Sequence, residues 1–198
     1  PNKITGVSKL VDSSTGPLNI YSVNDFTGGT TVNSGSTLNL GDGASAANNG
    51  SLAGIVTVNS GGTLNYAFGG SGTATVTLNH GLAGGGTVNV ATPNGTVVRT
   101  ANTASSTGFT GIVNIQGFSA FQGSAAGSNV FGQGSTINVL QDGGQAWCDP
   151  QASAYNNTFN IQGNGRITDN PALGAIRIFG STLIGNINLL ANSRIGGS

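Results

Sequence analysis

The sequence predicts an all-β fold in which short strands stack in successive coils, a parallel β-solenoid. Three observations predict it. Glycine accounts for 35 of the 198 residues, and all six acidic side chains are Asp. Short runs alternate between polar and apolar residues, as in 87–90 and 186–189. A nine-residue motif also returns after 26 residues.

The glycine content excludes helices as the main element of this chain. A glycine occurs on average every five or six residues, and each one costs a helix interior about 1 kcal/mol relative to alanine. Glu is absent and Lys is scarce, so the residues that usually form the solvated face of a helix are missing. The alternating runs instead indicate half-buried strands with a period of two.

The repeated motif relates the strands to one another. The segment 31–39 (TVNSGSTLN) returns as 57–65 (TVNSGGTLN), and weaker copies follow. The last four copies, from Asn114 to Asn188, are 24, 22 and 28 residues apart. Repeats of this length without helices are typical of solenoid coils, which bury their apolar faces only by stacking on neighbours.

An apolar residue followed by Asn recurs in these copies and predicts a ladder of side-chain amides. Identical amides on coils about 4.8 Å apart can donate hydrogen bonds to one another along the stack. The predicted members are Asn33, Asn59, Asn114, Asn138, Asn160 and Asn188. The alternative is that Asn is simply frequent in a turn-rich chain.

We expect residues 1–198 to form one solenoid segment of about eight coils, roughly 40 Å long at the usual strand spacing. The pattern starts by Leu18 and still continues at 194–196, which predicts uncapped ends covered by further chain or by another molecule. The start at Pro1 suggests a processed product or an excised piece. Residues 101–107, 123–127 and 146–157 are expected to form loops.

Composition also excludes several classes of function. The formal net charge is zero and only 6% of residues are charged, so no basic surface is expected to attract nucleic acid. No apolar stretch approaches the ~18 residues of a membrane helix, so no membrane contact is expected. The single Cys148 is interpreted as a small buried hydrophobe, and the single His80 as an exposed turn residue.

Few residues suggest catalysis. β-Solenoid enzymes that cleave polysaccharides group carboxylates on one face for acid and base chemistry or Ca²⁺ binding. Only Asp142, Asp149 and Asp169, with Arg166 nearby, offer such a cluster, and solvated turns are the alternative. No metal or cofactor site is predicted. Thr73, Thr75 and Thr77 alternate like an ice-binding face, but the array is not repeated in other coils. The aromatic residues of 109–159 are expected to fill the interior rather than to stack on sugars.

Segments 26–43, 51–64, 109–115, 175–178 and 183–189 together resemble the passenger-associated repeat of bacterial autotransporters. The resemblance covers most of the chain from about Leu18 onward. It implies a right-handed parallel β-helix at a bacterial cell surface that serves adhesion, aggregation or display. It implies no catalytic residue, and the protease-type Gly-Asp-Ser-Gly pattern is absent from the sequence.

The sequence therefore favours a non-catalytic extracellular scaffold of a bacterial surface protein. Its expected partner is a cell-surface or matrix component, or a second copy bound through the flank or the ends of the solenoid. The first alternative is a subunit of an extracellular filament or matrix that stacks end to end. The second alternative is a polysaccharide lyase or hydrolase of the β-helix type.

Overall fold

The computed structural model describes residues 3–70, 74–92, 96–101, 105–106, 108–123, 129–150, 154–166, 168–169 and 171–197. These residues form eighteen β-strands and one short 3₁₀ helix, Ala46–Asn48, and no α-helix occurs among them. The strands are β1 (Leu10–Asp12), β2 (Leu18–Ile20), β3 (Thr30–Val32), β4 (Thr37–Leu40), β5 (Ala53–Val58), β6 (Thr63–Tyr66), β7 (Thr75–Gly84), β8 (Thr87–Thr92), β9 (Val97–Thr100), β10 (Gly108–Phe109), β11 (Ile112–Gly117), β12 (Ala120–Gln122), β13 (Thr136–Val139), β14 (Gln145–Cys148), β15 (Thr158–Gly163), β16 (Ile176–Ile178), β17 (Ile187–Ser193) and β18 (Ile195–Gly197).

The strands make two sheets whose neighbours come from successive passes of the chain. The first sheet runs β1-β3-β5-β7-β9-β12-β14-β16-β18, with β10 beside β7. The second sheet has eight strands in the order β2-β4-β6-β8-β11-β13-β15-β17. Every pairing between these strands is parallel. The predicted all-β, parallel β-solenoid is therefore confirmed.

The strand register places the repeated motif in adjacent layers. Thr31 pairs with Thr57 between β3 and β5, and Leu38 pairs with Leu64 between β4 and β6. The two matching nonapeptides therefore lie directly above each other. The later copies are also in register, since Asn114, Asn138, Asn160 and Asn188 are successive partners in the second sheet.

The interior is a continuous column of apolar side chains contributed by both sheets. Val32, Leu38 and Leu64 are fully buried. Successive side chains of a strand point to opposite faces of the sheet, so every second residue points inward. The largest fully buried side chains of the column are aromatic, namely Tyr66, Tyr155, Phe26, Phe68, Phe109, Phe121, Phe131 and Phe159. The expected interior role of the aromatic residues is confirmed for most of 109–159, although Phe118 is 44% exposed.

Two glycines show why this residue type recurs where the chain turns between strands. Gly84 has φ +91°, and a Cβ there would lie 2.2 Å from the carbonyl oxygen of Val58. Gly132 has φ +75°, and its Cβ would lie 2.1 Å from the carbonyl oxygen of Phe109. Both positions combine a left-handed backbone with contact to the layer before, so only glycine fits without strain.

The loop predicted at 146–157 is partly wrong. Residues Gln145–Cys148 form β14, which pairs with β12 and β16, and Tyr155 makes a parallel bridge to Leu183. The intervening residues 151–153 lie outside the described residues. So do 102–104, 107 and 124–128, which make up much of the other two predicted loops.

Candidate functional site

At one aligned position, each of the eight strands of the second sheet carries an outward asparagine. The Nδ2 of each later asparagine donates to the Oδ1 of the asparagine one layer earlier, with N···O distances of 2.7–2.8 Å. We call this column the asparagine ladder; its members are Asn19, Asn39, Asn65, Asn89, Asn114, Asn138, Asn160 and Asn188. Each one lies between two inward apolar residues, and this alternation turns its amide outward.

The predicted ladder combined two separate columns. Asn114, Asn138, Asn160 and Asn188 belong to the asparagine ladder, whereas the other two predicted members do not. Asn59 donates to Asn33 at 2.9 Å, and Asn33 in turn donates to the hydroxyl of Ser13 at 2.7 Å.

Four members of the ladder were missing from the prediction, namely Asn19, Asn39, Asn65 and Asn89. A signal for them was present in the sequence. Thr-Leu-Asn follows Thr-Val-Asn within each nonapeptide copy, and the second of these two asparagines is the one that joins the ladder.

The ladder leaves part of each amide free to bind something else. An asparagine amide has two N–H donors and two acceptor positions, and a ladder member between two others uses one of each. The six inner members are half-buried. A column of threonines lies beside them in register, interrupted by Ile112, at Thr37, Thr63, Thr87, Thr136 and Thr158.

The strands of this face are uncharged and regular. The eight described strands of the second sheet contain no Asp, Glu, Lys or Arg. Side-chain ladders are one of the features that keep a sheet flat against its usual twist. The face therefore presents the same polar groups about every 4.8 Å along the stack.

A groove of about 350 Å³ runs along the first half of the asparagine ladder. Its lining includes the ladder members Asn19, Asn39, Asn65 and Asn89, together with Tyr21, Ala67, Ala91 and Gln116. Asp42 contributes the one charged side chain among the described lining residues.

Asp42 is held as a carboxylate by the turn that follows β4. Its oxygens accept from the backbone N–H groups of Ser45 and Ala44, each at 2.9 Å, and from the amide of Asn48 at 2.7 Å. These hydrogen bonds lower the pKa of Asp42, and the one from Ser45 makes the largest contribution. The groove therefore has a fixed negative charge on its lining at neutral pH.

The three predicted catalytic carboxylates have separate partners. Asp149 accepts from Gln122 at 2.8 Å just after β14, while Asp169 accepts from Gln145 at 3.0 Å at the start of β14. Gln145 and Asp149 are four residues apart in extended chain, about 13 Å. Asp142 accepts from the backbone N–H of Asn164 at 3.0 Å.

The surroundings of these carboxylates differ in charge and do not form a metal site among the described residues. Asp169 lies 3.8 Å from Arg166. Loss of solvation raises the pKa of Asp149, which the hydrogen bond from Gln122 partly offsets. Within the described ranges, no three His, Cys, Asp or Glu side chains are placed to hold a metal ion.

Sequence reasoning missed a polar column on the first sheet. Arg99, Gln122, Trp147 and Arg177 are successive strand partners there. The Nε of Arg99 donates to Gln122 at 3.0 Å, and the guanidinium of Arg177 lies 3.6 Å from the ring centre of Trp147. These four strands carry no copy of the asparagine motif, so no repeat indicates how they align with one another.

The interpretation of His80 as an exposed turn residue is wrong. His80 lies within β7 and is 1% exposed. Its Nε2 is 2.7 Å from the Tyr66 hydroxyl, and its Nδ1 is 3.3 Å from the carbonyl oxygen of Leu52. Desolvation lowers the pKa of His80 to about 4, so the ring is neutral at pH 7 and belongs to the core.

The interpretation of Cys148 as a buried hydrophobe is confirmed, because its side chain is fully buried. Burial, with a smaller contribution from Asp149, raises the pKa of the thiol, which disfavours the reactive thiolate. In the predicted threonine array, Thr73 lies outside the described residues. Thr75 and Thr77 pair with Val97 and Arg99, so the array is not repeated on the neighbouring strand.

Comparisons with family models, with curated proteins and with solved structures gave no match. The autotransporter resemblance therefore stays a prediction. Across the described residues, none of the helical segments has the length and apolar character needed to cross a bilayer.

Proposed function

We propose that this chain is a non-catalytic scaffold of a bacterial surface protein, which supports adhesion or self-association through its asparagine-lined face. The observation that carries the proposal is the unbroken asparagine ladder along all eight strands of the second sheet. The resemblance to autotransporter passenger repeats supports a location at the bacterial surface.

The geometry suits an extended contact surface. Eight layers at about 4.8 Å give a face roughly 34 Å long from the first strand to the last. Each hydrogen bond to a partner contributes only about 0.5–1.5 kcal/mol, but the free amide groups repeat in every layer. A partner lying along the stack would therefore gain affinity from many equivalent weak contacts.

Beads coated with the protein test the proposal. Wild-type beads are expected to aggregate with one another or to bind a surface coated with extracellular matrix. Thr63→Arg combined with Thr136→Arg places bulky charges beside the ladder at half-buried outward positions, so binding should fall strongly.

The matched control is Thr57→Arg, at a half-buried outward position on the first sheet. This variant should bind like the wild type. The proposal is wrong if wild-type beads bind neither each other nor the matrix surface, or if the double variant binds as well as the control.

A filament subunit is the second candidate, favoured by the apolar layer at the last strands. Ile184, Leu189 and Ile195 are 65%, 64% and 43% exposed, and β17 and β18 each end their sheet. Exposed sheet edges of this kind pair readily with further strands. Electron micrographs of the wild type should show rods several molecules long. The double variant Leu189→Lys with Ile184→Lys should give rods one molecule long. Wild-type rods that are all one molecule long would rule the filament out.

A further inference from the structure

We infer that the groove beside the first half of the asparagine ladder is a binding site for a linear, uncharged oligosaccharide. The inference rests on the proposed adhesive function and gives it a class of ligand. It is carried by three features of the groove: its shape, the unused hydrogen-bonding capacity of its amides, and its charge.

The shape suits one extended polymer chain. The groove runs from the layer of Asn19 to that of Gln116, which spans four layer-to-layer steps, or about 19 Å. The lining between its two ends includes Gly41, which has no side chain, and Ala67 and Ala91, which carry only a methyl group, so the space stays open. Ala91 is exposed to solvent, so a ligand can reach it from outside.

The amides suit hydroxyl groups. Asn39, Asn65 and Asn89 each keep one N–H and one acceptor position after ladder bonding, so donors and acceptors recur together in every layer. A sugar hydroxyl both donates and accepts, which matches this mixed pattern. Tyr21 lies partly exposed at one end of the groove and offers a ring on which the apolar face of a sugar can stack.

The alternative of a peptide strand fits this face less well. Peptides that extend a sheet bind through unpaired backbone groups at a sheet edge. Here β4, β6 and β8 lie inside the sheet and are paired on both sides, so side chains alone are available for recognition.

Charge selects against acidic glycans. The groove lining contains the ionised Asp42 and, among its described residues, no Lys or Arg. A uronic acid or other anionic sugar would be repelled, because no cation compensates it. An uncharged sugar gains instead, since its hydroxyls can donate to the Asp42 carboxylate in a charge-assisted hydrogen bond.

Isothermal titration calorimetry and ¹H–¹⁵N NMR on the purified chain test the site. The probes are linear oligomers of glucose, mannose, xylose and N-acetylglucosamine, with oligogalacturonate as the acidic comparison. At least one uncharged probe should bind saturably, with a Kd on the order of 0.1–1 mM, and should shift the side-chain amide signals of Asn39, Asn65 and Asn89. Oligogalacturonate should not bind.

Two variants place that binding in the groove. Ala91→Arg fills the exposed floor, and Tyr21→Ala removes the stacking ring; each should weaken binding by about tenfold or more, equivalent to ~1.4 kcal/mol. Ala83→Arg makes the same alanine-to-arginine change at a half-buried outward position on the first sheet and should bind within about twofold of the wild type. Circular dichroism confirms that each variant is folded.

The results separate this inference from the proposed function. If no uncharged probe binds, or if Ala91→Arg binds as tightly as Ala83→Arg, the oligosaccharide site is wrong. If the beads still aggregate in that case, the proposed adhesive function is retained without the oligosaccharide site. Saturable sugar binding without any bead aggregation or matrix binding would retain the site and contradict the proposed role in adhesion or self-association.

Discussion

Acidification should destabilise this protein through a single buried imidazole. His80 is the one histidine of the chain, and burial lowers its pKa to about 4 in the folded state. In the unfolded chain its pKa returns to about 6.5. Between these values the unfolded state binds a proton that the folded state excludes, so the free energy of unfolding falls as the pH falls.

The magnitude follows from the difference of about 2.5 pK units, which corresponds to about 3 kcal/mol once the pH is below both values. Stability is fully present above about pH 6.5 and is lost progressively toward pH 4. At pH 5 the expected loss relative to pH 7.5 is about 2 kcal/mol. Asp149 acts in the opposite direction, because burial raises its pKa.

Urea unfolding at pH 7.5 and pH 5 measures the effect, with His80→Gln as the control that removes the titrating group. The variant should be less stable at pH 7.5 because its core packing is altered, but should lose about 2 kcal/mol less than the wild type on acidification. NMR titration of the single imidazole checks the cause. A pKa near 6.5 in the folded protein, or the same acid loss in both proteins, would refute the reasoning.

Three further predictions follow from the ladder, the close contact of layers and the buried thiol. Asn138→Ala removes two ladder hydrogen bonds and should lower the free energy of unfolding by about 1–2 kcal/mol. Asn188→Ala removes one exposed hydrogen bond and should lower it by half of that or less. Equal losses of the free energy of unfolding in urea would contradict a cooperative ladder. Gly132→Ala should lower the free energy of unfolding by about 3 kcal/mol or more, because the new Cβ would meet the backbone of the neighbouring layer. Gly35→Ala, at φ +80° with open space around it, should lower it by about 1 kcal/mol. Similar urea midpoints for the two variants would show that the layers are not in contact at Gly132. The Cys148 thiol should react with a colorimetric thiol reagent only after unfolding, and rapid reaction of the native protein would place it at the surface.

The fold was predictable because the apolar positions that form the interior repeat with the coil. The match between 31–39 and 57–65 gave the register of two layers, which the pairing of Leu38 with Leu64 confirms. The ladder was only partly predictable. Asn33 and Asn39 both follow an apolar residue in the same repeat, and the sequence alone does not show which of them continues through the later coils.

The features that were predicted wrongly or missed depend on contacts between layers rather than on local sequence. His80 precedes Gly81, which resembles a turn. Gly81 instead lies inside β7, and glycine is required there because a Cβ would lie at less than van der Waals distance from the backbone of Ser105. Its neighbour is therefore buried against Tyr66. Gln122 and Asp149 are likewise joined only by the stacking of β12 on β14, in a region without recognisable repeats.

Cross-linking between layers tests the stacked arrangement most directly. Thr37 and Thr63 are strand partners in the second sheet, so a cysteine pair at these two positions, with Cys148→Ser, should lie about 4.8 Å apart and oxidise readily in the folded state. Cysteines at Thr37 and Thr57, where Thr57 belongs to the other sheet, should stay reduced. Equal oxidation of both pairs, or oxidation of neither, would contradict a solenoid in which these repeats are stacked.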